Sequence, residues 1–186
     1  MKAKIFPIAF AVSLILSFAR PAIFKASAAD YCIPGAIYLP YIFGIGGWNQ
    51  PAVAHTSNGD TIEIIGYLGW IDPTGNNIGI EGNFTYRNSA GSIIYQGTWV
   101  STGIIQKFKY YGCDEGLELW PGGRGAFRII MTATDGSTFN GTLDVESPNG
   151  EPPAGAIDGI RLSVKAWGLY FNQPVSVHNN VIFSIF

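Results

Sequence analysis

The sequence predicts an all-β domain, read as an antiparallel β-sandwich with a small closed β-barrel as the alternative. Three observations carry that reading. Short runs rich in Val, Ile, Thr and aromatic residues recur after Ala36, the residue types that suit a pleated, half-buried surface. Where the runs alternate, they do so with period two, as in Thr61-Ile62-Glu63-Ile64, and no sustained helical period follows. Asn58-Gly59, Asp135-Gly136 and Asn149-Gly150 stand between runs, and such dipeptides supply the positive φ angles of tight turns between antiparallel neighbours.

Taken in order, the predicted strands are Ala36 to Ile45, Thr61 to Tyr67, Ile78 to Arg87, Ser92 to Val100, Ile104 to Tyr111, Ala126 to Thr134, Thr138 to Glu146, Ile157 to Trp167 and Val175 to Phe186. Asp135-Gly136 is the clearest hairpin turn, because strand-like runs of similar length flank it. Asp72 to Asn77, Leu119 to Gly125 and Ser147 to Gly155 read as the longer loops. There is no internal repeat to divide the chain.

The first residues read differently. Lys2 and Lys4 precede an apolar run from Ile5 to Ala19, and Ala26-Ser27-Ala28-Ala29 then offers small side chains for cleavage. Arg20, Pro21 and Lys25 interrupt the run short of the roughly 20 apolar residues a spanning helix uses. Residues 1–29 are therefore expected to be a signal peptide, and 30–186 a single all-β domain that is secreted or held at the cell surface. Stable membrane insertion after cleavage is not expected. A membrane barrel ending in Phe186 fails on register, since Ser184, Asn180 and His178 share its face and are too polar for lipid.

Residues 30–186 hold 7 Lys and Arg against 13 Asp and Glu, a net charge of 7 − 13 = −6. Phosphate backbones are bound by clustered cations, and no run of them occurs, so nucleic acid is not an expected partner. Cys32 and Cys113 are the two cysteines, and export places them where a disulfide persists. Closing so long a loop is worth about 4 to 5 kcal/mol in the chain-entropy model. Neither sits in a metal-ligand cluster, and neither a metal nor a cofactor is expected.

No catalytic motif stands out. His55 and His178 are the only imidazoles and both lie in turn-like surroundings. Glu63, Glu81, Glu118 and Glu146 are the candidates for paired-carboxylate chemistry, which needs two acids about 5 to 10 Å apart. In a barrel, Glu63 or Glu81 facing the lumen would make a ligand carrier, cyclase-like enzyme or hydrolase. The Asp72–Asn77 loop and Asp114-Glu115 gather oxygen ligands but lack the spacing of a calcium loop. Asn83-Phe84-Thr85 and Asn140-Gly141-Thr142 fit the glycosylation sequon.

Aromatic residues offer the binding alternative. Flat rings stack on sugars, and Trp48, after Gly46-Gly47, and Trp120, before Pro121-Gly122-Gly123, lie in loops where rings are exposed. Trp99 and Trp167 fall in strands and read as core. The expected role is thus non-catalytic, binding or structural, with a carbohydrate or another surface protein as partner.

Gly69-Trp70-Ile71, Gly82-Asn83-Phe84-Thr85-Tyr86, Gly123-Arg124-Gly125-Ala126-Phe127, Ala133-Thr134-Asp135-Gly136 and Asp158-Gly159-Ile160-Arg161-Leu162 together resemble the small all-β modules of bacterial secreted and cell-surface proteins. The resemblance covers about 95 residues, implies an accessory or structural role and transfers no site. The Gly-Gly-x-Gly-x-Phe element is also similar to one in the dirigent and allene oxide cyclase barrels; a single short element carries no cyclase activity with it.

Overall fold

The computed structural model describes residues 41–46, 50–71, 79–114, 120–175 and 181–185. Eleven strands form within them: β1 (Tyr41–Ile45), β2 (Ala52–His55), β3 (Thr61–Ile71), β4 (Glu81–Arg87), β5 (Ile93–Gly112), β6 (Gly122–Ala133), β7 (Thr138–Ser147), β8 (Gly159–Val164), β9 (Leu169–Phe171), β10 (Gln173–Pro174) and β11 (Val181–Ile185). One 3₁₀ turn, Lys165–Trp167, separates β8 from β9. All ladders are antiparallel.

The hydrogen-bonded order is β10-β2-β3-β4-β5-β6-β7-β8-β9, with β1 added to β3 and β11 to β1. The path is open at β10 and β9, so the sheet does not close into a barrel. Asn172 alone separates those two strands in the chain, so the sheet coils until its ends are near neighbours. The right-handed twist of strands, sharpened by bulges, produces such coiling. Four register shifts along the β5–β6 ladder supply it here, and another falls where β1 meets β3.

Alternation sorts the residues by face. Ile62 and Ile64 of β3, Phe84 and Tyr86 of β4, Trp99 of β5, Phe127, Ile129 and Met131 of β6, Leu143 and Val145 of β7, and Ile160, Leu162 and Val164 of β8 share one buried core. Phe43 of β1 joins it, stacking on Phe127 at 5.4 Å between centroids. Burial of such side chains is worth about 1.5 to 3 kcal/mol each, which is what keeps the sheet coiled around its inner face.

Several expectations are corrected. The two strands expected at Ser92 to Val100 and Ile104 to Tyr111 are one, β5, because bulges bend the strand at Thr102 and Gly103 without ending it. The loop expected over Leu119 to Gly125 is, from Gly122 on, the start of β6. Its glycine is needed for packing: a Cβ on Gly123 would lie 2.1 Å from the Phe108 ring. Asn149-Gly150 opens a long connection to β8 instead of a tight hairpin. β2, β9 and β10, at two to four residues each, are too short to show a period. Asp135-Gly136 does turn the β6–β7 hairpin, with Gly136 at φ +85° and the Ser137 N–H donating to Asp135 Oδ1 at 2.9 Å.

Candidate functional site

The residues between the core positions point the other way and make an outer face whose composition follows from strand register. Asn83 lies opposite Thr98, Thr98 opposite Thr132, and Thr132 opposite Thr138, a hydroxyl and amide row across β4, β5, β6 and β7. The next row reads Glu81, Val100, Ile130 and Asn140. Tyr67 stands beside them where β3 leaves β4 for β1, and it is 56% exposed.

These rows enclose an open groove of about 410 Å³ bordered by Tyr67, Glu81, Asn83, Thr98, Val100, Ile130 and Thr132, with Gly82 and Trp99 between them along their strands. Asn83 Nδ2 donates to the Tyr67 hydroxyl at 2.6 Å and holds the ring at the rim. Trp99 lies inward, 2% exposed, its indole N–H donating to the Ile65 carbonyl at 3.0 Å. The groove therefore offers an aromatic ring, one carboxylate, an amide, two hydroxyls and two exposed aliphatic side chains. That mixture suits a ligand that presents hydroxyl groups on its edges and apolar C–H faces.

Glu81 is the one carboxylate bordering the groove. Glu63 is on the same outer face but is held by Arg87 at 3.3 Å, and neither lines an interior. The inner face carries apolar side chains, so the lumenal carboxylate that a carrier or enzyme would use is not found among the described residues.

A second polar cluster sits farther along the outer face. Glu146, 1% exposed, accepts from the Tyr111 hydroxyl at 2.8 Å, from Arg161 at 3.1 Å and from the Ile157 N–H at 3.4 Å. Arg124 forks onto both oxygens of Asp144, two strand positions away. Burial and the bond to Glu146 push the Tyr111 hydroxyl well above the usual tyrosine range, and the Asp144 carboxylate raises the Arg124 guanidinium. All four charges are matched and the cluster is roofed by the segment 148–158, whose Glu151 N–H donates to the Tyr111 carbonyl at 2.6 Å. Its geometry anchors that segment to the sheet.

The remaining sequence candidates are placed as follows. Trp120 is 46% exposed, as its loop position implied, and its carbonyl accepts from Asn149 Nδ2 at 3.0 Å; it lies two residues before β6 and does not border the groove. Trp99 is core, and Trp167 is half-buried, stacked on Tyr86 at 5.0 Å and Tyr95 at 5.4 Å. His55 Nδ1 is 3.0 Å from the Thr61 hydroxyl across the β2–β3 ladder. Cys113 is described, with Sγ 3.6 Å from the Tyr110 hydroxyl. Trp48, Cys32, His178, Glu115, Glu118 and the Asp72–Asn77 loop lie outside the described residues. Among the described residues no three His, Cys, Asp or Glu side chains converge as metal ligands. Both sequon asparagines, Asn83 and Asn140, are exposed on the outer face.

Sequence reasoning missed Tyr67, Thr98 and Thr132. Alternation alone sorts Thr98 from Trp99, but only the pairing of four strands brings Thr98 and Thr132 beside Asn83. No family model matches the chain, and no match comes from the curated proteins or the solved structures.

Proposed function

We propose that this chain is an exported, non-catalytic β domain that binds a polysaccharide along the outer face of β4, β5 and β6. The carrying observation is the open groove that the exposed Tyr67 ring, bonded to Asn83, borders together with Thr98, Thr132, Glu81, Val100 and Ile130. An exposed ring supplies a stacking face, and hydroxyl and amide side chains exchange hydrogen bonds with sugar hydroxyls without the desolvation cost of buried charge. One carboxylate serves as an acceptor, whereas glycoside hydrolysis employs a pair. Secretion behind a signal peptide ending at residue 29 and a Cys32–Cys113 disulfide belong to the same proposal, as does a two-layered, sandwich-like reading of the coiled sheet.

The test is binding of the secreted protein to a panel of soluble polysaccharides by affinity electrophoresis and calorimetry. Tyr67→Ala should weaken binding about tenfold or more, in line with about 1.5 kcal/mol for a lost aromatic stacking partner. Loss with Trp120→Ala and none with Tyr67→Ala would move the site to the start of β6. A panel that binds nothing removes the carbohydrate reading.

A further inference from the structure

Five of the seven Lys and Arg of residues 30–186 lie on the strands β5, β6 and β8, although in sequence they are spread from Lys107 to Arg161. Register gathers them. Lys109 lies opposite Arg124, and Arg161 is two strands beyond on β8, opposite Asp144 of β7. Arg128 is on the same face of β6 as Ile130 and Thr132, the two groove residues of that strand, and is exposed like them.

Their electrostatic states differ. Arg124 is matched by Asp144 and Arg161 by Glu146, but among the described residues no carboxylate pairs with Lys107, Lys109 or Arg128. Lys109 rests over the Tyr111 ring, its ammonium 5.9 Å from the centroid, which orients it along the outer face. A chain with a net charge of −6 over residues 30–186 thus carries an uncompensated cationic strip. The strip continues the groove along one strand: Thr132, Ile130 and Arg128 share the outer face of β6 with the paired Arg124, nine residues that span about 27 Å.

We infer that the groove and this strip form one extended site for an anionic polysaccharide, with sugar rings seated at Tyr67 and carboxylate or sulfate groups met by Arg128, Lys109 and Lys107. The inference rests on the polysaccharide reading above and adds the charge of the ligand. Guanidinium and ammonium groups on an exposed strand attract anions through water, and that attraction is screened by salt.

The probes are dextran against dextran sulfate, which share a backbone, and polygalacturonate for the carboxylate case. The expected result is binding of a charged polymer, weakened about tenfold when salt is raised to roughly 1 M, where the Debye length falls to about 3 Å. The triple variant Lys107→Gln, Lys109→Gln, Arg128→Gln should lose that binding about tenfold while keeping the thermal midpoint, since its three residues are exposed. Tyr67→Ala should weaken it as well. Binding of dextran with no preference for either charged polymer overturns the inference and leaves the polysaccharide reading standing. Charged-polymer binding that survives Tyr67→Ala, or that duplex DNA matches equally, shows a general anion surface separate from the groove and overturns the single extended site. Failure to bind any polymer removes both.

Discussion

Asp60 and Tyr86 show what one buried carboxylate does for a turn. Asp60 is 6% exposed at the start of β3, where Oδ2 accepts from the Tyr86 hydroxyl and Oδ1 from the Ser89 N–H, both at 2.9 Å. It therefore ties the β2–β3 turn to the β4–β5 turn. Burial, then the bond to Asp60, pushes the Tyr86 hydroxyl up to about 12 from 10. A hydroxyl whose pKa is higher folded than unfolded stabilises the fold below pH 10, and that contribution is lost as pH rises through 12. Absorbance titration should show late-ionising tyrosines, Tyr86 and Tyr111 among them, and Tyr86→Phe should remove one of these while the Tyr111 phase stays. Chemical denaturation should show stability falling between pH 10 and 12 in the parent, with a shallower fall in Tyr86→Phe. An unchanged slope would mean that Tyr86 is not held as described.

The β6 strand is the element whose sequence is most easily misread. Gly122, Gly123 and Gly125 look like a loop, because glycine weakens strands and punctuates turns. Yet the backbone here runs so close to β5 that the Phe108 ring, packed at 4.7 Å on Phe183, fills the space a side chain would take. Gly123→Ala should therefore destabilise by about 1 to 3 kcal/mol, the usual cost of overpacking. Phe108→Leu in the same chain should recover part of it, because the smaller side chain vacates the contact. Thermal melts of the two single variants and the double variant make the cycle, and simple additivity would show that the two positions do not share that space. Outward-facing positions of the same strand, Arg128, Ile130 and Thr132, are free of this constraint and carry the proposed binding chemistry.

For the molecule as a whole, the coiled sheet brings its two end strands together at Asn172 without a continuous ladder, so cohesion rests on the shared apolar core and on long-range ties. A Cys32–Cys113 bond would be such a tie, joining the segment before β1 to the end of β5. Non-reducing peptide mapping should recover the linked pair, and Cys113→Ser should cost about 2 to 5 kcal/mol. A free thiol at Cys113 in the secreted protein would refute the tie. The all-β class, the antiparallel pairing, the Asp135-Gly136 hairpin, the exposure of Trp120 and the burial of Trp99 were legible in the sequence. Each depends on chemistry local to one strand or turn: alternation, β-branching, or a glycine at positive φ. Which strands are neighbours, and at what register, depends on interactions between segments far apart in the chain, and local pattern carries no record of them. For that reason only the tertiary structure put Asn83, Thr98 and Thr132 in one row, gathered Lys109, Arg124 and Arg128 on one face, and turned Glu63 and Glu81 away from the apolar core.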